Sequence, residues 1–292
     1  MTGVSLSGIL YIISTPIGNL EDISLRALRL LREVSVIAAE DTRHTRKLLN
    51  HFEIETPATA YHEHNKLTRL DFLLDKLRAG ENIGLVSDAG TPCISDPGWE
   101  LVRAALEAGI AVEAAPGPAA PIVALVLSGY APQSFTYAGF PPRKKSELVV
   151  WLAGWRSVVE KHPLIFFEAP HRLVATLETV LETLGDRPVA ICRELTKLHQ
   201  EVRREKLSES LAHFRATEPR GEFTLVLAPS GETLDNETDE EKASAEIDPR
   251  QRLLELKGAG IRAKEAVETV SRETTLPRRQ VYDLWLNLTN NS

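Results

Sequence analysis

The residues with the clearest potential for chemistry lie in segment 87–98, which reads Ser-Asp-Ala-Gly-Thr-Pro-Cys-Ile-Ser-Asp-Pro-Gly. The apolar run 83–86 before it has the length of a buried strand. Asp88 therefore offers a carboxylate beside the permissive backbone of Gly90, at the carboxyl end of a strand. Open α/β sheets bind their ligands at this edge, so the segment is a candidate ligand site.

The second half of the same segment predicts a helix. Asp96 can accept hydrogen bonds from the free amides of a first helical turn, and Pro97 suits the first helical position. We expect a helix from Trp99 to Ala108 that ends at Gly109. A tight surface turn capped by aspartate explains these residues equally well, so the segment alone leaves both interpretations open.

Two further loops follow predicted strands in the same way. The strand 10–14 leads into the turn 15–20, and the strand 110–114 leads into the loop 116–120. Alternating strands and helices are typical of parallel sheets, whose strands end at a common edge. We therefore expect these loops and segment 87–98 to outline one crevice. The glycine-rich fingerprint of dinucleotide-binding proteins is absent.

A charged segment follows the predicted strand 35–39. It places Glu40 and Asp41 before Arg43 and His44 at the start of a helix, where free backbone amides also favour anions. An anion site is one interpretation. An ordinary capped helix with a charged outer face is the other.

Metal and nucleophile chemistry have little support in the sequence. His62 and His64 alternate with Glu63, but no cysteine or third ligand accompanies them, so we expect no metal site. No serine with a paired base, phosphate-binding loop or zinc spacing can be recognised.

Two basic clusters could contact phosphates. One comprises Arg143, Lys144 and Lys145, and the other spans 203–206. Solvated charge runs have the same sequence pattern, so both interpretations stay open. The net charge of -7 does not exclude a polyanionic partner, because seven acidic residues and one lysine lie between positions 232 and 246.

The elements that must position these residues extend beyond one domain, since the chain has 292 residues. We predict an N-terminal α/β domain over 1–134 and a second α/β domain over 135–230. An acidic linker over 231–247 has too few apolar residues to fold, and a helical module follows over 248–292.

Composition predicts the cellular setting. Only two cysteines are present, which is typical of a protein from a reducing compartment. No apolar run approaches the length that spans a membrane. We expect a soluble, cytoplasmic protein.

The order of these motifs resembles the bacterial family of small-subunit ribosomal RNA 2'-O-ribose cytidine methyltransferases, within the tetrapyrrole methylase superfamily. The resemblance covers residues 9–228, and the segments that carry it are 15–20, 40–45, 61–65, 87–98, 116–118, 142–145, 168–172, 193–199 and 221–223. It implies a two-domain α/β fold, with a parallel sheet in the N-terminal domain, a mixed sheet in the C-terminal domain and a small helical tail.

The resemblance also implies S-adenosylmethionine as methyl donor, bound between the two domains. The positions that match the cofactor-binding loops of the superfamily are Asp88, Ala89, Gly90, Thr91, Pro116, Gly117, Ala119, Ala120, Phe167, Glu168, Phe223 and Thr224. Asp88 is expected to orient the cofactor. Two residues depart from the family pattern, since Cys93 replaces an aliphatic residue and Ala119 replaces the usual serine.

The implied acceptor is a cytidine ribose in small-subunit ribosomal RNA or the assembled 30S subunit, and the implied assembly is a homodimer. The 2'-oxygen would attack the methyl carbon in line, with removal of its proton. Residues expected to bind the acceptor or take this proton are Glu40, Asp41, Arg43, His44, His64 and Glu168. Those expected to hold RNA phosphates are Arg43, His44, Arg143, Lys144 and Lys145.

Two other functions fit the same residues. One is a methyltransferase with the same fold and cofactor but a small acceptor such as a tetrapyrrole. The other is a catalytically silent module that binds nucleotide or RNA. Binding of S-adenosylmethionine and the identity of the methylated acceptor distinguish the three.

Overall fold

The structure is a computed structural model that describes residues 7–131, 133–230, 248–259, 261–274 and 276–289. The chain divides into two compact units. The first unit contains both β-sheets, and the second contains the C-terminal helices. The predicted acidic linker, 231–247, lies outside the described residues.

The first sheet is parallel throughout, and its strand order is β3-β2-β4-β1-β5. The strands are β1 (Ile9–Ile13), β2 (Val36–Ala39), β3 (Ala58–Ala60), β4 (Ile83–Val86) and β5 (Ala111–Ala115). Strands β2 and β4 are buried at every position, as expected for parallel strands covered on both faces. The sequence analysis did not predict β3, whose three residues are too few to show a pattern.

Four helices cover this sheet: α1 (Leu25–Glu33), α2 (Thr42–His51), α3 (Lys66–Arg78) and α4 (Trp99–Glu107). Leucines of α1 and α2 pack in one core cluster, and leucines of α3 and α4 pack in another. The strand and helix order thus follows the rhythm that the sequence predicts.

Helix α4 begins differently from the prediction. Its N-cap is Gly98, with φ 140°, and no side chain caps the helix, so the assignment of Asp96 as the cap is wrong. A Cβ atom at Gly98 would lie 2.8 Å from the Leu85 side chain, which requires glycine where the chain passes close to β4. The Asp96 carboxylate is consequently available for another role.

The second sheet is mixed, with strand order β6-β7-β10-β8-β9. The strands are β6 (Thr136–Tyr137), β7 (Leu164–Glu168), β8 (Pro188–Arg193), β9 (Glu201–Lys206) and β10 (Phe223–Leu227). Strand β6 is parallel to β7, and the other neighbours are antiparallel. The mixed character that the family resemblance implied is confirmed.

Strand β9 contains the basic cluster 203–206, which the sequence analysis did not recognise as a strand. Arg203 Nε donates to Glu205 Oε1 at 2.8 Å, and Arg204 Nε donates to the carbonyl of Leu127 at 2.8 Å. The guanidinium groups therefore already have partners within the protein, which weakens the interpretation of this cluster as a phosphate contact.

The second sheet is covered on one face by α6 (Lys145–Val159), α7 (Leu173–Leu184) and α8 (Leu207–Ala216). On its other face lies α5 (Ala120–Ser128), whose Leu125 packs with Ile165 and Val226. The predicted domain boundary at 134 falls between α5 and β6. Because α5 follows the first sheet in the chain but packs on the second, it joins the two sheets.

The second unit consists, in its described part, of α9 (Pro249–Gly258), α10 (Ala263–Thr274) and α11 (Arg278–Thr289). Its core includes Leu253, Val270 and Trp285. The helical tail that the resemblance implied is thus confirmed. Within the described residues of the whole chain, none of the helices combines the length and apolar character that a membrane span needs.

Candidate active site

The three predicted loops meet at the carboxyl ends of β1, β4 and β5, because β1 lies between the other two strands. Thr15 N donates to the Gly90 carbonyl at 2.9 Å, and Gly90 N donates to the Thr15 carbonyl at 3.1 Å. Thr91 Oγ1 donates to the carbonyl of Pro118 at 3.1 Å, which ties in the third loop. The crevice predicted from three strand ends is confirmed.

Glycine is required at two points of this crevice. Gly90 has φ 79°, in the left-handed region, and a Cβ atom there would lie 3.2 Å from the Ile17 side chain. At Gly117 a Cβ atom would lie 2.8 Å from Cβ of Ser14. Both glycines let neighbouring loops approach each other closely.

A cavity of about 370 Å³ lies between these loops and the second sheet. Its lining includes nine positions predicted to contact the cofactor: Ala89, Gly90, Thr91, Ala119, Ala120, Phe167, Glu168, Phe223 and Thr224. The volume falls within the range of about 300 to 1,000 Å³ that is usual for pockets of small organic ligands. The fold therefore brings together residues from both predicted domains at one ligand-sized space.

The other lining residues were not predicted from the sequence. They are Ile17, Ile94, Ser95, Asp96, Pro121, Phe140, Ala169, Pro170, Leu195, Gly221 and Glu222. The Phe167 ring lies 5.3 Å from the Tyr137 ring and 5.2 Å from the Phe140 ring, measured between centroids, and thus belongs to an aromatic cluster at the wall. For Asp96 the sequence carried a signal, the second carboxylate in segment 87–98, but the Asp-Pro pattern led to its assignment as a helix cap.

Side-chain hydrogen bonds connect loops of the first sheet with the second sheet at two places. The Ser95 hydroxyl lies 2.6 Å from the Tyr137 hydroxyl, and Asn19 N donates to Thr196 Oγ1 at 3.1 Å. Ser95 and Thr196 have φ values of 65° and 64°, which are uncommon for residues other than glycine. Such strain persists only where neighbouring contacts hold the backbone, so these loops have a defined shape around the cavity.

Carboxylates cluster where β2 and β4 end. Asp88 N lies 3.4 Å from Glu40 Oε2, and Asp88 Oδ1 accepts a hydrogen bond from Asp41 N at 3.0 Å. Burial and the charges of Glu40 and Asp88 raise the pKa of Asp96 to about 6, although the Ser87 hydroxyl favours the ionised form. Burial also raises the pKa of Glu40.

The remaining titratable groups that interact with Asp96 stay protonated at neutral pH. Burial, with the charges of Asp96 and Glu100, raises the pKa of Cys93 to about 11. Burial and the Asp96 charge raise the pKa of Tyr137, against the effect of its hydrogen bond with Ser95. Asp96 is therefore the lining carboxylate poised to exchange a proton close to neutral pH.

The raised pKa of Asp96 has a cost in stability that can be measured. Because the folded protein holds this proton more tightly than the unfolded chain, the stability contribution of Asp96 decreases as the pH rises from about 4 to 6. Replacing Asp96 with asparagine should raise the free energy of unfolding at pH 7.5 by about 1 to 3 kcal/mol and have little effect at pH 4. Urea titrations at both pH values check this, and a gain of equal size at pH 4 would contradict it.

Asp88, Pro116 and Gly117 lie outside the lining of the large cavity. Asp88 lines a smaller cavity of about 130 Å³ instead, with the other lining residues being Thr15, Pro16, Leu20, His44, Thr45, Lys47, Leu48 and Ser87. A direct contact of these three residues with the cofactor stays a prediction. For Asp88, the geometry assigns a positioning role, since its carboxylate holds the backbone of Asp41.

Asp41 and Arg43 pair with each other at the start of α2. Asp41 caps the helix by accepting from Arg43 N at 2.8 Å, and its second oxygen pairs with Arg43 Nη2 at 2.7 Å. These contacts hold the pKa of Asp41 well below its usual range, so Asp41 is a poor proton acceptor. The Arg43 side chain is 89% exposed and can also reach a solvent-borne partner.

The oxygens of Glu168 are engaged within the protein, which gives no support to the catalytic role predicted for it, and that role stays a prediction. Its side chain is fully buried, Ala169 N and Thr176 Oγ1 donate to its two oxygens, and Arg172 lies 3.3 Å away. Arg172 in turn donates to the carbonyls of Pro141 and Pro142 at 3.0 and 2.8 Å. Glu168 thus anchors the segment that leads from Phe140 to the basic cluster 143–145.

His64 lies outside both cavities and is exposed, with its ring centroid 6.0 Å from that of His62. This position gives no support to its predicted role in proton removal. In the described parts of the chain, no group of histidine, cysteine and carboxylate side chains has an arrangement that could hold a metal ion.

The basic cluster 143–145 is exposed, as a phosphate contact requires. Lys144 pairs with Glu147 at 3.0 Å and Lys145 pairs with Glu182 at 2.9 Å, both at the surface. Such exposed pairs contribute little stability and exchange easily for a phosphate. The role of these residues in RNA binding stays a prediction.

Residues 9–210 match the family model of tetrapyrrole (corrin/porphyrin) methylases. The chain is 45% identical to a protein named ribosomal RNA small subunit methyltransferase I from Halalkalibacterium halodurans, over 95% of this chain and 94% of the relative. It is 46% identical to the protein of the same name from a Synechocystis species, over 96% and 98%, and 43% identical to that from Bacillus subtilis, over 97% and 96%.

Solved structures with the same fold include uroporphyrin-III-C-methyltransferase from Thermus thermophilus, with a TM-score of 0.53 and 21% identity over 76% of this chain and 94% of the other. Diphthine synthase gives a TM-score of 0.59 at 14% identity, over 76% and 90%. Cobalt precorrin-4 methyltransferase gives 0.57 at 16% identity, over 75% and 94%. Motif order, fold and similarity along nearly the whole length agree, and the chain belongs to the tetrapyrrole methylase family, within the group of the ribosomal RNA small subunit methyltransferase I proteins.

Proposed function

We propose that this protein transfers a methyl group from S-adenosylmethionine to the ribose 2'-oxygen of a cytidine in small-subunit ribosomal RNA. The relatives support methyl transfer to this RNA, because they are named ribosomal RNA small subunit methyltransferase I. The cytidine and the 2'-oxygen rest on the family resemblance of the motifs. The observation that carries the proposal is the large cavity, which joins nine predicted cofactor positions from two sheets.

The chemistry of the large cavity suits this cofactor. Among the described residues, its lining contains the carboxylates Asp96, Glu168 and Glu222 but no lysine or arginine. A sulfonium cation with an ammonium group is favoured by such an environment, whereas a diphosphate is not. Phe140 and Phe167 offer an apolar surface for an adenine ring, and Gly90 leaves backbone groups accessible.

Asp96 is the group best placed to take the proton from the ribose hydroxyl. It lines the cavity, while Glu168 is bonded to internal donors, Glu222 is paired with Lys197 and Asp41 is paired with Arg43. With a pKa of about 6, its carboxylate is largely ionised at neutral pH but still basic enough to accept a proton. The cofactor would supply the methyl group, and its methyl–sulfur bond would break to leave the neutral thioether S-adenosylhomocysteine as the 2'-oxygen bonds to the carbon. Asp96 would take the proton of the ribose hydroxyl.

Methylation of small subunits tests the proposed function. Subunits from a strain that lacks the protein are incubated with the purified chain and S-adenosylmethionine that carries a labelled methyl group. We expect one label per subunit, on a cytidine ribose, as located by mass mapping of the RNA. Label on a small tetrapyrrole but not on RNA would support the alternative acceptor. If calorimetry detected no binding of S-adenosylmethionine, only the catalytically silent module would remain.

The basic cluster 143–145 provides a prediction about RNA affinity. Changing Arg143 and Lys144 to alanine should weaken binding to small-subunit RNA and reduce the slope of log K against log salt by about 1 to 2, because fewer counterions are released. Filter binding at several salt concentrations measures both quantities. The control variant, Arg29→Ala with Arg103→Ala, removes the same charge from exposed sites outside both cavities. If the two variants gave the same slope of log K against log salt, the cluster 143–145 would not contact the RNA.

The remaining parts of the proposal concern assembly and location. The acceptor is ribosomal RNA or the 30S subunit, the chain acts as a homodimer, and it acts in the cytoplasm, where these subunits are assembled. Light scattering of the purified chain measures its oligomeric state, and a monomer at the concentrations used in the methylation assay would contradict the homodimer.

A further inference from the structure

The smaller cavity lies beside the large one, on the other side of the loop that follows β4. Ser87 and Asp88 line the smaller cavity, and the next residues, Ala89 to Thr91, line the large one. The loop after β1 is divided in the same way. Thr15 and Pro16 line the smaller cavity, and Ile17 lines the large cavity. A ligand in the smaller cavity would therefore be a neighbour of the bound cofactor.

Several polar groups of the smaller cavity have unused hydrogen-bonding capacity. The Thr45 hydroxyl is buried, in a side chain only 3% exposed, and has no partner in the described structure. Lys47 is exposed and forms no ion pair with the described residues. Asp88 uses Oδ1 to accept from Asp41 N, which leaves Oδ2 able to accept from a ligand.

The apolar walls indicate the shape of the ligand. Pro16, Leu20 and Leu48 line the cavity together with the polar groups, so the site combines apolar surfaces with a donor and an acceptor at its edge. Planar heterocycles have this combination of apolar faces and polar edges. A volume of about 130 Å³ has room for a heterocyclic base.

We propose that the smaller cavity binds the base of the acceptor cytidine, with Asp88 accepting from its exocyclic amino group and Lys47 donating to its ring acceptors. This inference rests on the proposed function and adds the residues that would select the base. Since the base and the 2'-oxygen belong to one nucleotide, a base held here positions the ribose towards the large cavity and Asp96.

Charge distinguishes a base from a phosphate in this site. Two lining residues, Lys47 and His44, can attract an anion. The Asp88 carboxylate repels it, and its neighbour Glu40 adds a further negative charge. A neutral base with donors and acceptors can use both groups. The side chains at the site thus favour a base over a phosphate.

The carboxylate also distinguishes cytosine from uracil. Carboxylates accept from the N4 amino group of cytosine, whereas uracil presents a carbonyl oxygen at that position and would face the negative charge of Asp88 without a proton between them. A site built around such a hydrogen bond rejects an analogue that lacks the donor, because a buried polar group then loses its partner.

The test replaces Asp88 with asparagine in the full chain. Asparagine keeps an oxygen that can accept from Asp41 N, and it offers an amide donor to a carbonyl oxygen of uracil. Substrates are 30S subunits reconstituted with cytidine or uridine at the nucleotide that the wild-type enzyme methylates. We expect the ratio of kcat/KM for cytidine over uridine to fall by about 10- to 100-fold in the variant.

The inference replaces the cofactor contact predicted for Asp88 from the sequence, because Asp88 lines the smaller cavity. Calorimetry with S-adenosylmethionine separates the two roles, and it should give the same Kd for Asp88→Asn and wild type if Asp88 binds the base. A loss of affinity for S-adenosylmethionine in Asp88→Asn would show that Asp88 binds the cofactor, and it would overturn the inference. An unchanged preference for cytidine over uridine would overturn it as well. Failure of the proposed function is a separate result, since the wild-type enzyme would then methylate neither substrate.

A second pair of variants separates base binding from phosphate binding. Lys47→Ala should raise KM for the cytidine substrate, whereas Arg46→Ala, exposed on the same helix but outside the cavity, should not. Thr45→Val keeps the side-chain shape, removes the buried hydroxyl and should also raise KM. If Lys47→Ala instead reduced only the salt slope, equally for both bases, the cavity would be a phosphate site and the inference would be wrong.

Discussion

Asp96→Asn should lower the rate of methyl transfer by about 100- to 10,000-fold, the range that a positioned general base usually contributes. The carboxylate lines the cavity beside the cofactor loops, and asparagine has nearly the same shape but cannot accept the proton. Affinity for S-adenosylmethionine should change by less than about 10-fold. The variant loses only the negative charge of Asp96, whose attraction to the cationic cofactor is partly screened. Single-turnover assays and calorimetry measure the two effects separately.

The pH dependence adds a signature that a structural role would not produce. The wild-type rate should fall as the pH decreases through about 6, because protonated Asp96 cannot accept the ribose proton. The residual rate of Asp96→Asn should not show this decrease at low pH. Asp71→Asn, an exposed aspartate outside both cavities, serves as the control and should keep the wild-type profile. A variant rate within about threefold of wild type would exclude Asp96 as the base.

Ala119→Phe should abolish measurable binding of S-adenosylmethionine, with Kd raised by at least about 100-fold, because the ring would occupy space that the cofactor needs. Ala119 precedes α5 with extended backbone angles that phenylalanine can adopt, and it lines the cavity, so the fold should be retained. Calorimetry gives the affinity and circular dichroism checks the fold. Ala114→Phe places the same ring at an exposed position of β5 and should bind the cofactor normally.

Ala119→Ser tests the same position in the opposite direction. It introduces the serine that the family resemblance implies at this position and adds one hydroxyl at the cavity wall. A hydrogen bond of ordinary net strength corresponds to a gain of about 2- to 10-fold in cofactor affinity. Normal affinity in Ala119→Phe would show that the cofactor binds elsewhere and would overturn the assignment of the large cavity.

The loop from Asp88 to Gly98 illustrates how function and stability compete in this protein. Cys93 and Ser95 have positive φ angles, and Asp96 holds a carboxylate in a partly buried, negatively charged setting. Each feature costs stability, so the contacts of Ser95 with Tyr137 and of Thr91 with Pro118 must hold the loop in place. The expected gain in stability of Asp96→Asn, together with its loss of activity, follows from this competition.

Local patterns in the sequence were sufficient for most of the first sheet. Apolar runs bounded by turn residues predicted β1, β2, β4 and β5, and the segment after β4 predicted α4. Strands β3 and β6 contain only three and two residues, and the charged residues of β9 hid its alternation, so these strands could not be predicted. Their place depends on pairing with distant strands, which no local pattern records.

The sequence by itself determined the family, the parallel first sheet and the three loops that meet at its edge, because these depend on motifs and on periodicity within short segments. Only the tertiary structure decided what the carboxylates do. Glu168 accepts a hydrogen bond from Thr176, and Asp88 lines the smaller cavity. Burial and nearby negative charges raise the pKa of Asp96 at the large cavity. The reactivity of a carboxylate depends on its solvation and on nearby charges, and both arise only when residues far apart in the chain come together.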